Sequence, residues 1–310
     1  MNRRGALILA GLAIATAAAV AVAGGTPGNE ELAIRGGDGS RRSWWSREGA
    51  PTRWDGGSLP LDSAIEWRAG PAGLEWGEVE MSGAGEAIAL RLVVARLDPA
   101  RFDLSLVLRL DHPDSWSLEA APSGAALAVN AGMFVEALPW GWLVLEGEEQ
   151  LAPGVGPLSS AVVVRRDGSV AWHDGDDLST WRGSQEVRFA FQSYPTLLAG
   201  DGEIPATLQS GDAVNLTHRD ARLALGIDRQ GRLLLALTRF DAPLPAADRI
   251  PFGLTLPEMA AVMGALGARQ AVSLDGGISA QLMLRDAEGE AHRWPGLRRV
   301  PLALVAIPRD

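Results

Sequence analysis

The feature of this sequence best suited to chemistry is an acid followed by two glycines and a hydroxyl at the end of an apolar run. It reads Ala271-Val272-Ser273-Leu274-Asp275-Gly276-Gly277-Ile278-Ser279. Glycine lets a backbone approach a ligand closely or adopt positive φ, so the Asp275 carboxylate and the amides after it can face one space. Asp-Gly after a strand is also an ordinary hairpin turn, and spacing alone leaves both readings open. His173-Asp174-Gly175-Asp176-Asp177 offers the oxygen ligands that a divalent cation such as calcium accepts. It lacks the spacing of a known calcium loop, and a solvated turn is the competing reading. His173, His218 and His292 have no partner at metal-binding spacing, which argues against zinc. His218 lies four residues before Arg222 and is a candidate acid or base in any cleft the two share. No Gly-x-Ser-x-Gly elbow occurs, so serine hydrolase chemistry lacks its usual signature.

Composition narrows the ligand. The formal net charge is −10, and every basic residue is an arginine, with no lysine. Such a chain offers no broad cationic surface to track a nucleic acid backbone. Isolated arginines suit one phosphate or carboxylate, because the guanidinium fork donates two parallel hydrogen bonds and stays charged at physiological pH. A small anionic ligand is the expectation. The absence of cysteine excludes disulfides, thiolate metal sites and a cysteine nucleophile.

These residues need a scaffold. The chain opens on the basic Met1-Asn2-Arg3-Arg4, followed by an uncharged apolar run from Gly5 to Ala23. That is the layout of an export signal. Ala21-Val22-Ala23 fits the small-x-small cleavage rule, while residues 6–23 are also long enough to stay as a membrane tether. Both readings of residues 1–23 place the body outside the cytoplasm, in the periplasm or an equivalent space. Residues 24–70 are rich in glycine, proline, serine and charge, and read as a partly disordered linker. Its Trp44, Trp45 and Trp54 are expected to anchor on the following domain, with a separate carbohydrate-binding role as the alternative.

From residue 71 to 310 the pattern becomes that of one strand-rich domain. Runs at 87–94, 104–108, 125–129, 161–165, 222–227, 233–237, 270–274, 280–284 and 302–307 have strand character. Arg166-Asp167-Gly168-Ser169 and Asp228-Arg229-Gln230-Gly231 read as hairpin turns. One helix is signalled over Thr255–Leu266: Thr255 and Glu258 form a capping box ahead of Met259, Val262, Met263 and Leu266. The expected class is α+β, a mixed and strongly twisted sheet with a few packed helices.

Several short segments, in order, resemble the phosphodiester glycosidase family. They are Val129-Asn130-Ala131-Gly132-Met133-Phe134, Gln192-Ser193-Tyr194-Pro195-Thr196-Leu197-Leu198, Arg222-Leu223-Ala224-Leu225-Gly226-Ile227 and Leu254-Thr255-Leu256-Pro257-Glu258-Met259-Ala260. Leu274-Asp275-Gly276-Gly277 with Ser279, and Arg299-Val300-Pro301, complete the set. Ala131 stands where the family often has a second glycine, and Ile278 interrupts what is often a triple glycine. The resemblance implies hydrolysis of a sugar joined through its anomeric carbon to a phosphodiester, releasing free sugar and a phosphomonoester. It implies that Asp275 is the catalytic carboxylate, as nucleophile, base or metal ligand, and that Arg222 holds the phosphate. Asn130, Gly132, Gln192, Ser193, Gly276, Gly277 and Ser279 would line the site or orient the substrate. Glu258 and His218 are further catalytic candidates, although the capping box already explains Glu258. The expected substrate is an extracytoplasmic glycan or exopolysaccharide. Two other readings stand beside this one: a non-catalytic binding protein for phosphorylated glycans, and a metal-dependent phosphodiesterase.

Overall fold

The structure, a computed structural model, describes residues 30–56, 59–84, 87, 89–110, 115–154, 156–174, 177–212, 214–241 and 250–309. The expected export segment lies outside these residues. Among the described residues no helix is long and apolar enough to cross a membrane.

A nine-stranded sheet forms the backbone of the domain. Its order is Thr196–Leu198, Ala268–Leu274, Leu223–Asp228, Leu233–Phe240, Leu90–Leu97, Glu75–Ser82, Glu31–Arg35 and Arg41–Ser46, with Arg68–Ala69 added to Glu75–Ser82. Alternation along these strands sends side chains to two different cores. Val93, Ala95, Leu97, Leu223, Leu225, Leu235, Leu237, Val272 and Leu274 face one core. Leu92, Val94, Ala224, Leu234, Ala236 and Ala271 face the other. Both faces are covered, so these strands read as nearly continuous apolar runs.

Two five-stranded sheets cover the first face. One runs Glu148–Leu151, Leu143–Leu145, Val187–Ser193, Ser160–Arg165, Val170–Asp174; the other runs Ala291–Trp294, Leu282–Arg285, Leu127–Asn130, Leu302–Pro308, Phe102–Leu108. A small hairpin pairs Met133–Val135 with Leu138–Trp140. The second face carries the Leu256–Ala265 helix. Its Thr255 cap is built as the sequence implies, with Thr255 Oγ1 accepting from the Glu258 amide and the Glu258 carboxylate accepting from the Thr255 amide.

Two expectations are corrected here. The sheet is not mixed, because every described pairing is antiparallel. The helix links Leu233–Phe240 to Ala268–Leu274, and these strands do run parallel to each other. Leu223–Asp228 lies between them and is antiparallel to both, so neighbours never run parallel. The segment expected to be a linker is also ordered over residues 30–56. Glu31–Arg35 pairs with Glu75–Ser82 and with Arg41–Ser46. The physical reason lies in the helix, all ten of whose residues are buried. Its small outward residues leave an apolar surface that Trp45 and Trp54 cover, and Trp54 lies so close that a β-carbon on Gly264 would overlap its ring. The tryptophans are therefore packed as anchors.

Candidate active site

Asp275 stands where the buried Ala268–Leu274 strand leaves the nine-stranded sheet. Its main chain is pinned from another sheet. Its amide donates to the Gly132 carbonyl at 3.0 Å. Its carbonyl accepts from Asn130 Nδ2 at 2.9 Å, and Asn130 Oδ1 in turn accepts from the Gln281 amide at 3.0 Å. Asn130 is wholly buried, and both ends of its amide are used, as a buried polar group requires. Gly132 has φ of 73°, a left-handed conformation that suits glycine and turns the chain from the Leu127–Asn130 strand into the Met133–Val135 hairpin.

The two glycines after Asp275 have a specific cause. A β-carbon on Gly276 would come within 2.4 Å of the Ala221 carbonyl oxygen, and one on Gly277 within 2.9 Å of the Asp220 carboxylate. The Gly277 amide donates to the Ala221 carbonyl at 2.7 Å. The Asp-Gly-Gly turn is therefore shaped to receive the Asp220-Ala221 segment, and the contact brings a second acid beside Asp275.

The charges at this junction are held against burial. Burial pushes the Asp275 carboxyl above the usual carboxylate range. A hydrogen bond with Ser279 and the positive charge of Arg298 oppose that rise, and the negative charge of Asp220 adds to it. Burial likewise raises Asp220, opposed by Arg222, the Ala221 amide and His218. The Ala221 amide donates to Asp220 Oδ1 at 2.8 Å. His218 Nε2 lies 3.7 Å from Asp220 Oδ2 on the solvent side, where the imidazole is largely exposed. Two carboxyls raised by burial, with Arg298 acting on one, Arg222 on the other and an exposed imidazole beside Asp220, form the kind of pair that glycosidic chemistry uses.

Most of the residues nominated from sequence fall into two sets. Asn130, Gly132, Gly276, Gly277 and Ser279 converge on Asp275. His218 and Arg222 converge on Asp220. Arg222 commits Nε to the Leu254 carbonyl at 2.8 Å and Nη2 to the His218 carbonyl at 2.6 Å, so part of its fork braces the loop that carries Asp220.

The others have structural partners instead. Glu258 is fully buried, and Arg219 grips both of its oxygens at 2.6 and 2.8 Å. With the helix cap added, its carboxylate faces no open space. Gln192 Oε1 accepts from the Trp142 and Gly154 amides at 2.7 and 3.1 Å, and Ser193 Oγ donates to the Ser273 carbonyl at 2.6 Å. Both are buried braces behind the site.

In the run suggested for calcium, Gly175 and Asp176 lie outside the described residues. The Asp174 carboxylate there accepts from the Gly200 amide and from Gln270 Nε2, and Asp177 accepts from the Ser179 amide. His292, which has no partner at metal-binding spacing in sequence, meets Asp286 at 2.8 Å across a hairpin, with Glu290 beside them. Sequence reasoning passed over Asp220 and Arg298. Asp220 lies only two residues before Arg222, and Arg298 directly precedes the Arg299-Val300-Pro301 match, so both stand beside segments that were recognised.

Comparison with known proteins gives the family and the fold. The phosphodiester glycosidase family profile matches residues 123–307. The chain belongs to the phosphodiester glycosidase family. No curated protein matches significantly. Among solved structures, the catalytic domain of zebrafish N-acetylglucosamine-1-phosphodiester alpha-N-acetylglucosaminidase, auto-inhibited by its pro-peptide, has a similar fold. The TM-score is 0.57 at 17% identity, over 81% of this chain and 91% of that one. Weaker likenesses are to a Synechocystis protein of 17% identity (TM-score 0.46, 76% of this chain and 62% of that one) and to a Burkholderia pseudomallei protein described as exported, of 15% identity (TM-score 0.46, 74% and 76%).

Proposed function

We propose that this protein hydrolyses the glycosidic bond of a sugar 1-phosphodiester, with Asp275 and Asp220 as its acid pair. The observation that carries this reading is the seating of the Asp220 carboxylate against Gly277, within the electrostatic reach of Asp275. Membership of the phosphodiester glycosidase family gives the reaction class. Water supplies the oxygen that ends on the anomeric carbon. The bond from that carbon to the bridging oxygen breaks, and the bridging oxygen leaves with phosphate as a phosphomonoester. Phosphate is already a good leaving group, so one carboxylate at the anomeric centre and one group to take the proton of water suffice. Asp275 acts at the anomeric carbon. Asp220 handles the proton, with His218 linking it to solvent. Arg222 and Arg298 offset the charge of the phosphate from two sides, in keeping with the preference of guanidinium for phosphate. Asn130 holds Asp275 in place rather than touching substrate.

The basic and apolar layout of residues 1–23 supports an extracytoplasmic setting, and with it a glycan or exopolysaccharide substrate. The test is turnover in water enriched in heavy oxygen, using an alkyl ester of N-acetylglucosamine 1-phosphate. Label on the free sugar supports the reading. Label on phosphate would assign the metal-dependent phosphodiesterase alternative, and saturable binding without product would assign a binding protein.

A further inference from the structure

Five large hydrophobic side chains are conspicuously exposed among the described residues: Leu110, Val135, Leu138, Ile278 and Leu297. Exposed aliphatic residues scattered singly are ordinary, but a group of them in one place marks an interaction site. Four of these five lie on the segments that border Asp275. Ile278 is three residues beyond it, in the turn Gly277–Ser279. The Ile278 carbonyl accepts from the amides of Leu297 at 2.7 Å and Arg298 at 3.2 Å, which fixes Leu297 beside Ile278. Arg298 Nη2 then donates to the Glu136 carbonyl at 2.6 Å. Glu136 is at the tip of the small hairpin in which Val135 and Leu138 are directly paired. That hairpin begins just after Gly132, whose carbonyl accepts from the Asp275 amide. The connections close a circuit of chain on which Asp275 itself lies, with four exposed aliphatic residues and one arginine along it.

We propose that this rim is a subsite for an aliphatic alcohol esterified to the phosphate of the substrate, so that the enzyme prefers amphiphilic sugar phosphodiesters. The proposal rests on the phosphodiester glycosidase reading and deepens it. Charge supports this occupant over a purely apolar one. Arg298 is exposed on the rim, and its charge acts on Asp275, so a single anion flanked by a sugar and an alkyl chain complements the surface. Ile278, exposed in the turn after Asp275, contributes apolar area that a glycine there would lack.

The full chain would be assayed with methyl, butyl and octyl esters of N-acetylglucosamine 1-phosphate, each below its micelle concentration. Partial burial of the octyl chain is expected to raise kcat/KM by about tenfold or more over the methyl ester. The double substitution Ile278→Ser and Leu297→Ser should bring the octyl-to-methyl ratio close to one; a ratio of one in the unaltered protein overturns the subsite. If no ester is hydrolysed, the catalytic reading fails on its own, and calorimetry with methyl phosphate and octyl phosphate still tests the rim. Octyl phosphate binding more tightly, and losing that advantage in the double variant, supports it; equal binding overturns it. Co-sedimentation with neutral phosphatidylcholine vesicles, or self-association in the ultracentrifuge, that depends on the same two residues would assign the rim to a membrane or a second copy and overturn the proposal. Matched melting temperatures would show that the variant folds.

Discussion

The Asp220 carboxylate lies 2.9 Å from the point that a β-carbon on Gly277 would occupy. Gly277 also has φ of 55°, a backbone conformation that costs other residues about 1–2 kcal/mol. Gly277→Ala is therefore expected to fold with a modest loss of stability while pushing Asp220 out of position. Displacement of a reacting group by about 1 Å can cost on the order of 100-fold in rate. Steady-state kinetics on a sugar 1-phosphodiester, read beside a thermal melt, should show kcat falling far more than stability accounts for. Gly276→Ala should do the opposite, because its β-carbon would meet the rigid Ala221 carbonyl at 2.4 Å. There the loss should appear first in folding, with strain of about 1–3 kcal/mol.

Asp275 ionises against its surroundings, since burial raises its pKa above the usual carboxylate value. Below the ordinary carboxylate pKa of about 3.9 the group is protonated in both folded and unfolded chains and has no effect on pH-dependent stability. As pH rises past that value, the unfolded chain releases the proton first. Stability is then lost progressively until the folded pKa has been passed. Asp275→Asn removes this penalty, so it should be inactive yet melt at a higher temperature than the unaltered protein at pH 7. The difference should shrink as the pH is lowered towards 4. Melting curves across that range decide it, and equal melting temperatures at every pH would contradict a buried, reluctant charge.

Asn130, the last residue of its strand, ties together the chain just after Ala268–Leu274 and just before Leu282–Arg285, donating to the Asp275 carbonyl and accepting from the Gln281 amide. Truncation to alanine leaves two buried main-chain groups without partners, at about 1–3 kcal/mol each. Asn130→Ala should therefore lower the unfolding free energy by about 2–4 kcal/mol in denaturant titration. Because the Asp275 main chain loses its anchor, activity should also fall, and mainly in kcat, since Asn130 is not proposed to contact the sugar. A change confined to KM would show instead that its side chain binds substrate.

Much of this arrangement is legible in the chain and some of it is not, for physical reasons. Strands such as Leu233–Phe240 announce themselves by apolar content, and the Thr255–Glu258 box marks the helix because capping is a local property. The Asp275-Gly276-Gly277 turn stands out because glycine pairs are costly unless something comes close. What comes close is Asp220, in a run of His218-Arg219-Asp220-Ala221-Arg222 that has no periodicity. Its role arises only when a loop is folded over a distant turn. Arg298 is similar, since nothing local links it to Glu136 or Asp275. The Glu31–Ser46 hairpin was obscured by glycine, serine and arginine around a few buried residues, Leu32, Ile34 and Trp45 among them. Strand direction is also absent from a strand's own residues, so the sheet's antiparallel order depends on which strand inserts between two others.

The pairing of Arg219 with Glu258 provides the sharpest test of which acids are chemical and which structural. Glu258 is fully buried, and Arg219 nearly so, with two short hydrogen bonds between them. Removing one partner of a buried pair strands the other charge, at about 3–5 kcal/mol, whereas replacing both with apolar groups of similar size is often neutral. Arg219→Met should therefore destabilise strongly. Glu258→Gln should cost less, because the amide oxygen can still accept from the Thr255 amide or from Arg219, so the stranded guanidinium keeps a hydrogen-bond partner. The double variant Arg219→Met with Glu258→Gln should recover much of the loss, a coupling measurable by a double-mutant cycle in denaturant. At a temperature where Glu258→Gln is folded, its pH–rate profile should keep the limbs of the unaltered enzyme, as Glu258 faces no substrate. A limb that disappears in Glu258→Gln would return that residue to the reaction and displace Asp220 from the acid pair.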